Sequence, residues 1–323
     1  MSKKLRIVFM GTPGFAVTIL NRIVHSSHDV VAVVTAPDRP SGRGQKIRKS
    51  EVKIYAEDEG LTIFQPLNLK ADEFINEMKK VNADVFVVVA FRMLPAVIWK
   101  IPPLGTINLH ASLLPDYRGA APINWTIING EKRTGVTTFF INEVIDTGDI
   151  IKKRAVDIND EMSAGELHDK LMHVGADLMN DTLTDLSNGK LESKNQNEDE
   201  GLALNAAPKI FKEDCQIQWA NTLKTNYNKI RGLSPYPGAW SVLKSKSKNK
   251  NISFKFFDCR KTNMPVPTEA VGQLLEVNNG ILFPCSDFYI LVVELQMEGK
   301  RRMNYKDFLA GNSIEDFEII KEP

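Results

Sequence analysis

Cysteine is scarce in this chain of 323 residues: three, at positions 215, 259 and 285, far apart and without a CxxC spacing. That argues against a disulfide framework or a thiolate zinc site. It predicts reduced thiols in a cytoplasmic protein. No other clustering of metal-ligating residues stands out, so no metal is expected. Long apolar runs are also missing. No stretch approaches the ~20 apolar residues of a membrane span, which predicts no membrane association. The N-terminal MSKKLRIVFMGTPGF has a basic start, but its apolar run is too short for a signal-peptide core. It reads as a buried first strand. A charge excess is absent as well: the net charge of +1 lacks the global basic signature of a nucleic-acid binder. The charge is uneven, with +4 on residues 207–323 and −3 on residues 1–206, so the C-terminal part suits a polyanion better.

What is present is ordinary for a globular protein: 43% apolar and 25% charged residues. The length predicts two domains. Apolar runs at 5–10, 29–35 and 84–90 read as buried parallel strands. Strands are also expected at 105–110 and 134–142. Helical spacing falls at 15–23, 51–59, 71–80, 121–129 and 162–186, and the Pro/Gly-rich basic stretch 36–50 between them reads as a loop. This alternation predicts an α/β fold, a doubly wound, mostly parallel, Rossmann-like sheet over residues 1–188. Residues 189–206 are polar and read as a linker. From 207 to 323 a helix near 219–232 precedes short strands at 241–243, 253–257, 272–277, 280–284 and 289–294. Turn residues separate them, which predicts a smaller β-barrel of OB-like type.

The turn Gly11-Thr12-Pro13-Gly14 follows the first strand and opens a helix. A dinucleotide fingerprint needs G-x-G-x-x-G. Here Pro13 removes a donor amide and the second glycine is misplaced, which argues against NAD. The turn either borders an active site or only reverses the chain.

Chemistry concentrates in residues 105–150. Asn108 and His110 are two apart near a strand end, so their side chains share a face. An Asn amide can donate to a developing oxyanion, and a His can carry a proton between attacking and leaving groups. Asp146 lies in an Asp/Gly-rich loop, IDTGD. There it either caps the turn or orients His110 or a water; the pattern alone leaves this open.

Residues 108–119, NLHASLLPDYRG, closely resemble the signature of the folate-dependent formyltransferases. The resemblance implies that Asn108, His110 and Asp146 form a catalytic trio. It also implies that Ser112, Leu113, Leu114 and Pro115 abut the folate, with Phe91, Arg92, Met93 and Leu94 on the other wall of the cleft. The formyl donor implied is 10-formyltetrahydrofolate. Thr35–Lys53 resembles the basic insertion of the members that act on methionyl initiator tRNA. By that resemblance Arg39, Arg43, Lys46, Arg48 and Lys49 bind the acceptor stem, and Gly42 and Gly44 let the loop approach closely. LSPYPGAW at 233–240 resembles the start of their C-terminal tRNA-binding domain. The implied activity is formylation of the amino group of methionyl initiator tRNA by a monomer, for translation initiation. The alternative is formylation of a small-molecule amine such as a nucleotide amino-sugar. Two departures stand out. Glu51 replaces a Pro common before Val52-Lys53. AFRMLP at 90–95 carries Arg92 where other members often have Tyr-Gly, so Arg92 meets either the pteridine, the glutamate tail or solvent. The basic stretch 244–251 reads as a hairpin tip that either touches tRNA or is solvated.

Overall fold

A computed structural model describes residues 3–41, 46–196, 204–270 and 272–320. The chain divides into two compact units. The first comprises residues 1–122, 133–157 and 168–207; the second comprises 123–132, 158–167 and 208–323.

In chain order the first part holds β1 (Arg6–Gly11), α1 (Gly14–Val24), β2 (Asp29–Val34), β3 (Arg39–Ser41), β4 (Lys46–Arg48), α2 (Glu51–Asp58), β5 (Ile63–Phe64), α3 (Asp72–Val81), β6 (Val85–Val89), α4 (Ala96–Trp99), β7 (Thr106–His110), β8 (Arg118–Gly119), α5 (Pro122–Ile128), β9 (Arg133–Phe140), β10 (Ile150–Asp157), α6 (Ala164–Ser187) and β11 (Ala206–Ala207). Seven strands form one sheet in the order β10-β9-β7-β6-β1-β2-β5. β1, β2, β5, β6 and β7 run parallel, and β9 and β10 are antiparallel additions. Every residue of β6 is buried, as a continuous apolar run in a central parallel strand requires. One face of the sheet packs Val8, Met10, Val34, Phe86 and Val88 against Phe74 and Met78 of α3 and Ile98 of α4. The strand order reverses between β1 and β6. The crevice where ligands bind in such sheets therefore opens at the carboxyl ends of these two strands and of β7.

Several sequence expectations needed correction. Residues 36–50 are not a plain loop: β3 and β4 pair as an antiparallel hairpin, with Arg39 opposite Arg48. The ladder is too short and too exposed to carry apolar alternation, so periodicity missed it. β10 was missed because Lys152, Lys153 and Arg154 interrupt it. It is an edge strand, where charges are tolerated and discourage intermolecular pairing. Lys152 pairs with Asp185, and Arg154 with Asp181 at 2.7 Å, both on α6. α6 opens with a reciprocal capping box. The Ser163 amide donates to Glu166 at 2.7 Å, and the Glu166 amide donates to Ser163 Oγ at 3.3 Å.

The second unit holds α7 (Leu223–Leu233), β12 (Ala239–Ser245), β13 (Lys250–Pro265), β14 (Leu275–Val277), β15 (Gly280–Pro284), β16 (Phe288–Met297), β17 (Met303–Asn304), α8 (Tyr305–Leu309) and β18 (Phe317–Ile319). The antiparallel order is β14-β15-β16-β13-β12-β18, with β17 on β16. A further pair, Gln273 with Glu318, and the Ile319 amide bonded to the Gly272 carbonyl at 3.2 Å, join the two outer strands. The sheet is thus barrel-like, as expected. β13 is far longer than residues 253–257. Its register shifts at Phe256/Asp258, Asp258/Cys259 and Lys261/Pro265 mark bulges that bend it around the core. Trp219, Phe256 and Phe283 fill that core with centroids 5.0–5.6 Å apart. The basic stretch 244–251 is the β12–β13 turn. Among the described residues no helix is long and apolar enough to cross a membrane.

Phe86 is fully buried at the centre of the first sheet. Phe86→Ala is expected to cost about 3–5 kcal/mol, read as a lower urea midpoint with unchanged slope.

Candidate active site

The crevice is shaped by three consecutive strand ends. At β1, a Cβ on Gly11 would lie 2.7 Å from Ala16 Cβ and 3.0 Å from the Val89 carbonyl. Only glycine lets α1 turn back this closely. At β6, Ala90 adopts a left-handed φ of 47° before Phe91–Leu94. At β7, His110 opens the loop 111–119.

His110 is buried, and its Nε2 lies 2.8 Å from the main-chain carbonyl of Tyr117. A carbonyl only accepts, so Nε2 carries a hydrogen. In the neutral ring the lone pair is then on Nδ1. Nδ1 faces Asp146 Oδ2 at 3.8 Å, close enough for charge attraction and too far for a hydrogen bond. The same Asp146 oxygen accepts the Gly119 amide at 3.0 Å. Asn108, half-buried, shares the strand face of His110, with Val88 and Phe139 as its neighbours across the sheet. The structure therefore brings His110 and Asp146 together and sets Asn108 on the same strand face.

Backbone strain collects at the same place. Ala90, Tyr117 and Asp146 have φ of 47°, 56° and 54°. Such values cost non-glycine residues about 1–3 kcal/mol each when the surroundings enforce them. Gly148 shows how tightly the Asp146 loop is held, because a Cβ there would lie 1.6 Å from the Phe140 carbonyl.

The expected folate walls divide into two kinds. Ser112 and Leu114 are fully buried and hold the turn. Ser112 Oγ donates to the Asp116 carbonyl at 2.6 Å. Thr137 Oγ1 donates to the Ser112 carbonyl and accepts the Leu114 amide. Pro115 is buried beside them, and Leu113 is partly open. Opposite, Leu94 is buried, Phe91 is half-buried and Met93 is 76% exposed. Arg92 donates to the carbonyls of Pro66 and Leu67 and stacks over Phe91 at 5.5 Å. Its Nε is buried without a partner. Burial first, and neighbouring Arg39 second, weaken its hold on the proton.

The basic residues of the hairpin are not equivalent. Arg39 and Arg48 are exposed and face each other across the ladder, a like-charge pair that disfavours the hairpin by itself. Arg48 lies 3.6 Å from Glu51. Lys49 is bound to Glu57 at 2.6 Å, which raises its pKa, so its charge is already matched. Lys46 lies in β4, and Arg43, with Gly42 and Gly44, falls outside the described residues.

The sequence reading missed Tyr117, Arg118, Gly119 and Gln196. The first three stand inside the signature segment, and their neighbourhood was the available signal. Gln196 sits in what read as linker, where nothing in the pattern marks it. Among the described residues no group of three metal-ligating side chains converges.

The family model described as formyl transferase matches residues 5–183, and that described as formyl transferase, C-terminal domain, matches residues 209–313. The chain belongs to the formyl transferase family. Within it, a protein named methionyl-tRNA formyltransferase from Flavobacterium johnsoniae is 48% identical over 314 residues, covering 97% of this chain and 98% of that one. Among solved structures, a HypX variant from Aquifex aeolicus matches with a TM-score of 0.65 at 16% identity; the match covers 96% of this chain and 49%, about half, of that one. WlaRD, a sugar 3N-formyl transferase solved in the presence of dTDP and 5-N-formyl-THF, matches with a TM-score of 0.63 at 18% identity, over 92% of this chain and 99% of that one. At these identities the two structures show a shared fold.

Gly148→Ala is expected to destabilise the protein by about 1–3 kcal/mol through forced displacement of the Asp146 loop. Gly311→Ala, with nothing within 4 Å of its Cβ, should stay within about 0.5 kcal/mol. Thermal melts of the two variants side by side check this.

Proposed function

We propose that this chain transfers the formyl group of 10-formyltetrahydrofolate to the free α-amine of methionyl initiator tRNA, acting as a monomer in the cytoplasm. The observation that carries the chemistry is the pairing of buried His110, at the carboxyl end of β7, with half-buried Asp146, and with Asn108 on the same strand face as His110. The acceptor is argued from the near full-length relative named for it. The paired exposed arginines of the β3–β4 hairpin add to this. The reading assigns catalysis to residues 1–188, a linker role to 189–206 and tRNA binding to 207–323.

The folate is a substrate here. Phe91, Met93 and Leu113 offer partly open apolar surface for a flat ring system, and the buried Ser112 and Leu114 hold the turn in shape beneath it. In the reaction the neutral amine attacks the formyl carbon. A new C–N bond forms and the carbonyl π electrons move to oxygen. Asn108 and the protonated Nδ1 of His110 donate to that oxygen. Nε2 is committed to Tyr117, so Nδ1 is the ring atom available for this. Asp146, across 3.8 Å, balances the imidazolium charge. Collapse restores the C=O and breaks the bond to the folate nitrogen. Nδ1 gives its proton to that nitrogen as the bond breaks, and the proton lost by the amine then returns to Nδ1, directly or through a water held by Asp146.

His110→Ala and Asp146→Ala are expected to lower kcat by about 10²–10³ with tRNA affinity little changed. A His110→Ala enzyme with wild-type kcat would refute the site. Arg48→Ala should weaken tRNA binding and reduce the slope of log K against log salt by about 1, whereas Lys49→Ala should change it less because Glu57 already neutralises that charge. To decide the acceptor, 10-formyltetrahydrofolate is offered with both charged initiator tRNA and a nucleotide amino-sugar, and the products are weighed by mass spectrometry. Formylated sugar without formyl-methionine would sink the assignment.

A further inference from the structure

The loops that carry His110 and Asp146 are joined by a side chain from neither. Gln196 lies beyond α6 and is only 3% exposed. Its amide nitrogen donates to the main-chain carbonyls of Asp146 at 3.1 Å and Gly148 at 2.7 Å. Its amide oxygen accepts from Arg118 Nε at 3.1 Å and Nη2 at 2.6 Å. Arg118 stands between Tyr117, whose carbonyl holds His110, and Gly119, whose amide holds Asp146. One buried amide thus spends its hydrogens on one loop and its oxygen on the other.

We propose that Gln196, gripped by Arg118, is a positioning residue for formyl transfer, fixing the spacing between the Asp146 carboxylate and the His110 imidazole; this rests on the reading of the site given above. Three physical points support it. The amide has one workable orientation. Reversed, it would aim N–H groups at a guanidinium and its oxygen at two carbonyls. Asp146 is held at a left-handed φ of 54°, which an aspartate tolerates but does not favour over the right-handed regions, so the loop needs support from outside. The two carbonyls that this path leaves inward need donors, and Gln196 supplies them. The neighbouring backbone adds to the hold: Lys194 pairs with Ile150 just past the Asp146 loop. Lys194 and Gln196, at the start of the linker, therefore also brace the site.

Gln196→Met keeps the size of the side chain and removes all four bonds. It is expected to lower kcat by about 10- to 100-fold, the effect of a misplaced reacting group, with KM for both substrates little changed. In an Asp146→Ala background the same substitution should add no further loss, because the spacing it sets no longer matters. A purely structural role would lower the folded fraction, and activity with it, in both backgrounds. Gln196→Glu keeps the acceptor for Arg118 but turns an oxygen toward the two carbonyls, so it should be no better than Gln196→Met. Arg118→Lys loses the two-pronged grip and should also lose kcat, which tests the idea should Gln196→Met fail to fold. Wild-type kcat for Gln196→Met beside an inactive His110→Ala overturns the positioning role and leaves the function standing. Independent, multiplying losses from Gln196→Met and Asp146→Ala overturn it too. If His110→Ala itself keeps full activity, the reading of the site falls instead.

Discussion

A main-chain carbonyl engages one nitrogen of His110 and leaves the other free for the reaction, and the chemistry proposed for this chain depends on that choice. The acceptor is the oxygen of Tyr117. It belongs to the backbone, so a change of the Tyr117 side chain does not delete it; only a change in the path of the loop does. The loop is accordingly tied at several points. The Tyr117 amide donates to the Asn205 carbonyl, the Asn205 amide donates to Asp116, and β8 pairs with β11. A Cβ on Gly119 would lie 2.4 Å from the Ala207 carbonyl, so the two strands meet too closely for any side chain. The imidazole keeps its orientation because a distant stretch of chain presses the loop into place.

The sheet supplies the rest of the geometry. β6 and β7 are parallel neighbours, with Val89 level with Leu109, so the loops that follow them rise on the same side. The reversal of order at β1 and β6 leaves a gap there that no crossover helix fills. Strained residues gather on the rim of this gap, at positions 90, 117 and 146, where the surrounding framework is stiff enough to hold them.

Much of this was legible in the residues. Continuous apolar runs rich in β-branched residues mark buried parallel strands, and β1, β2 and β6 are legible that way. The two-residue spacing of Asn108 and His110 placed both on one face. What escaped notice did so for physical reasons. β10 hides behind charges that an edge strand tolerates and that ion pairs with α6 employ. In the β3–β4 hairpin Arg39, Pro40, Ile47 and Arg48 are all exposed, so no period betrays it. The β13–β16 ladder is broken by three register shifts, the first of which puts one extra residue in β13 and so reverses its alternation there. Gln196 is polar in a polar stretch, and its burial depends on contacts with residues about 50 and 78 positions earlier. Local pattern carries no trace of such partners. The sequence left Arg92 open between ligand and solvent; its fork donates to the carbonyls of Pro66 and Leu67, which ties the segment after β6 to the segment after β5.

The seam that joins Gln273 to Glu318 bears on how the molecule is made. On the ribosome a chain folds in the order in which it emerges, and domains generally do so as units. The strand that shuts the second unit is drawn from residues 317–319, more than 70 residues after β12, the strand it pairs with. Until those residues clear the exit tunnel, Leu243, Lys244 and Ser245 present an unpaired backbone edge, and a nascent chain stalled before that point carries an adhesive flank that the finished protein conceals.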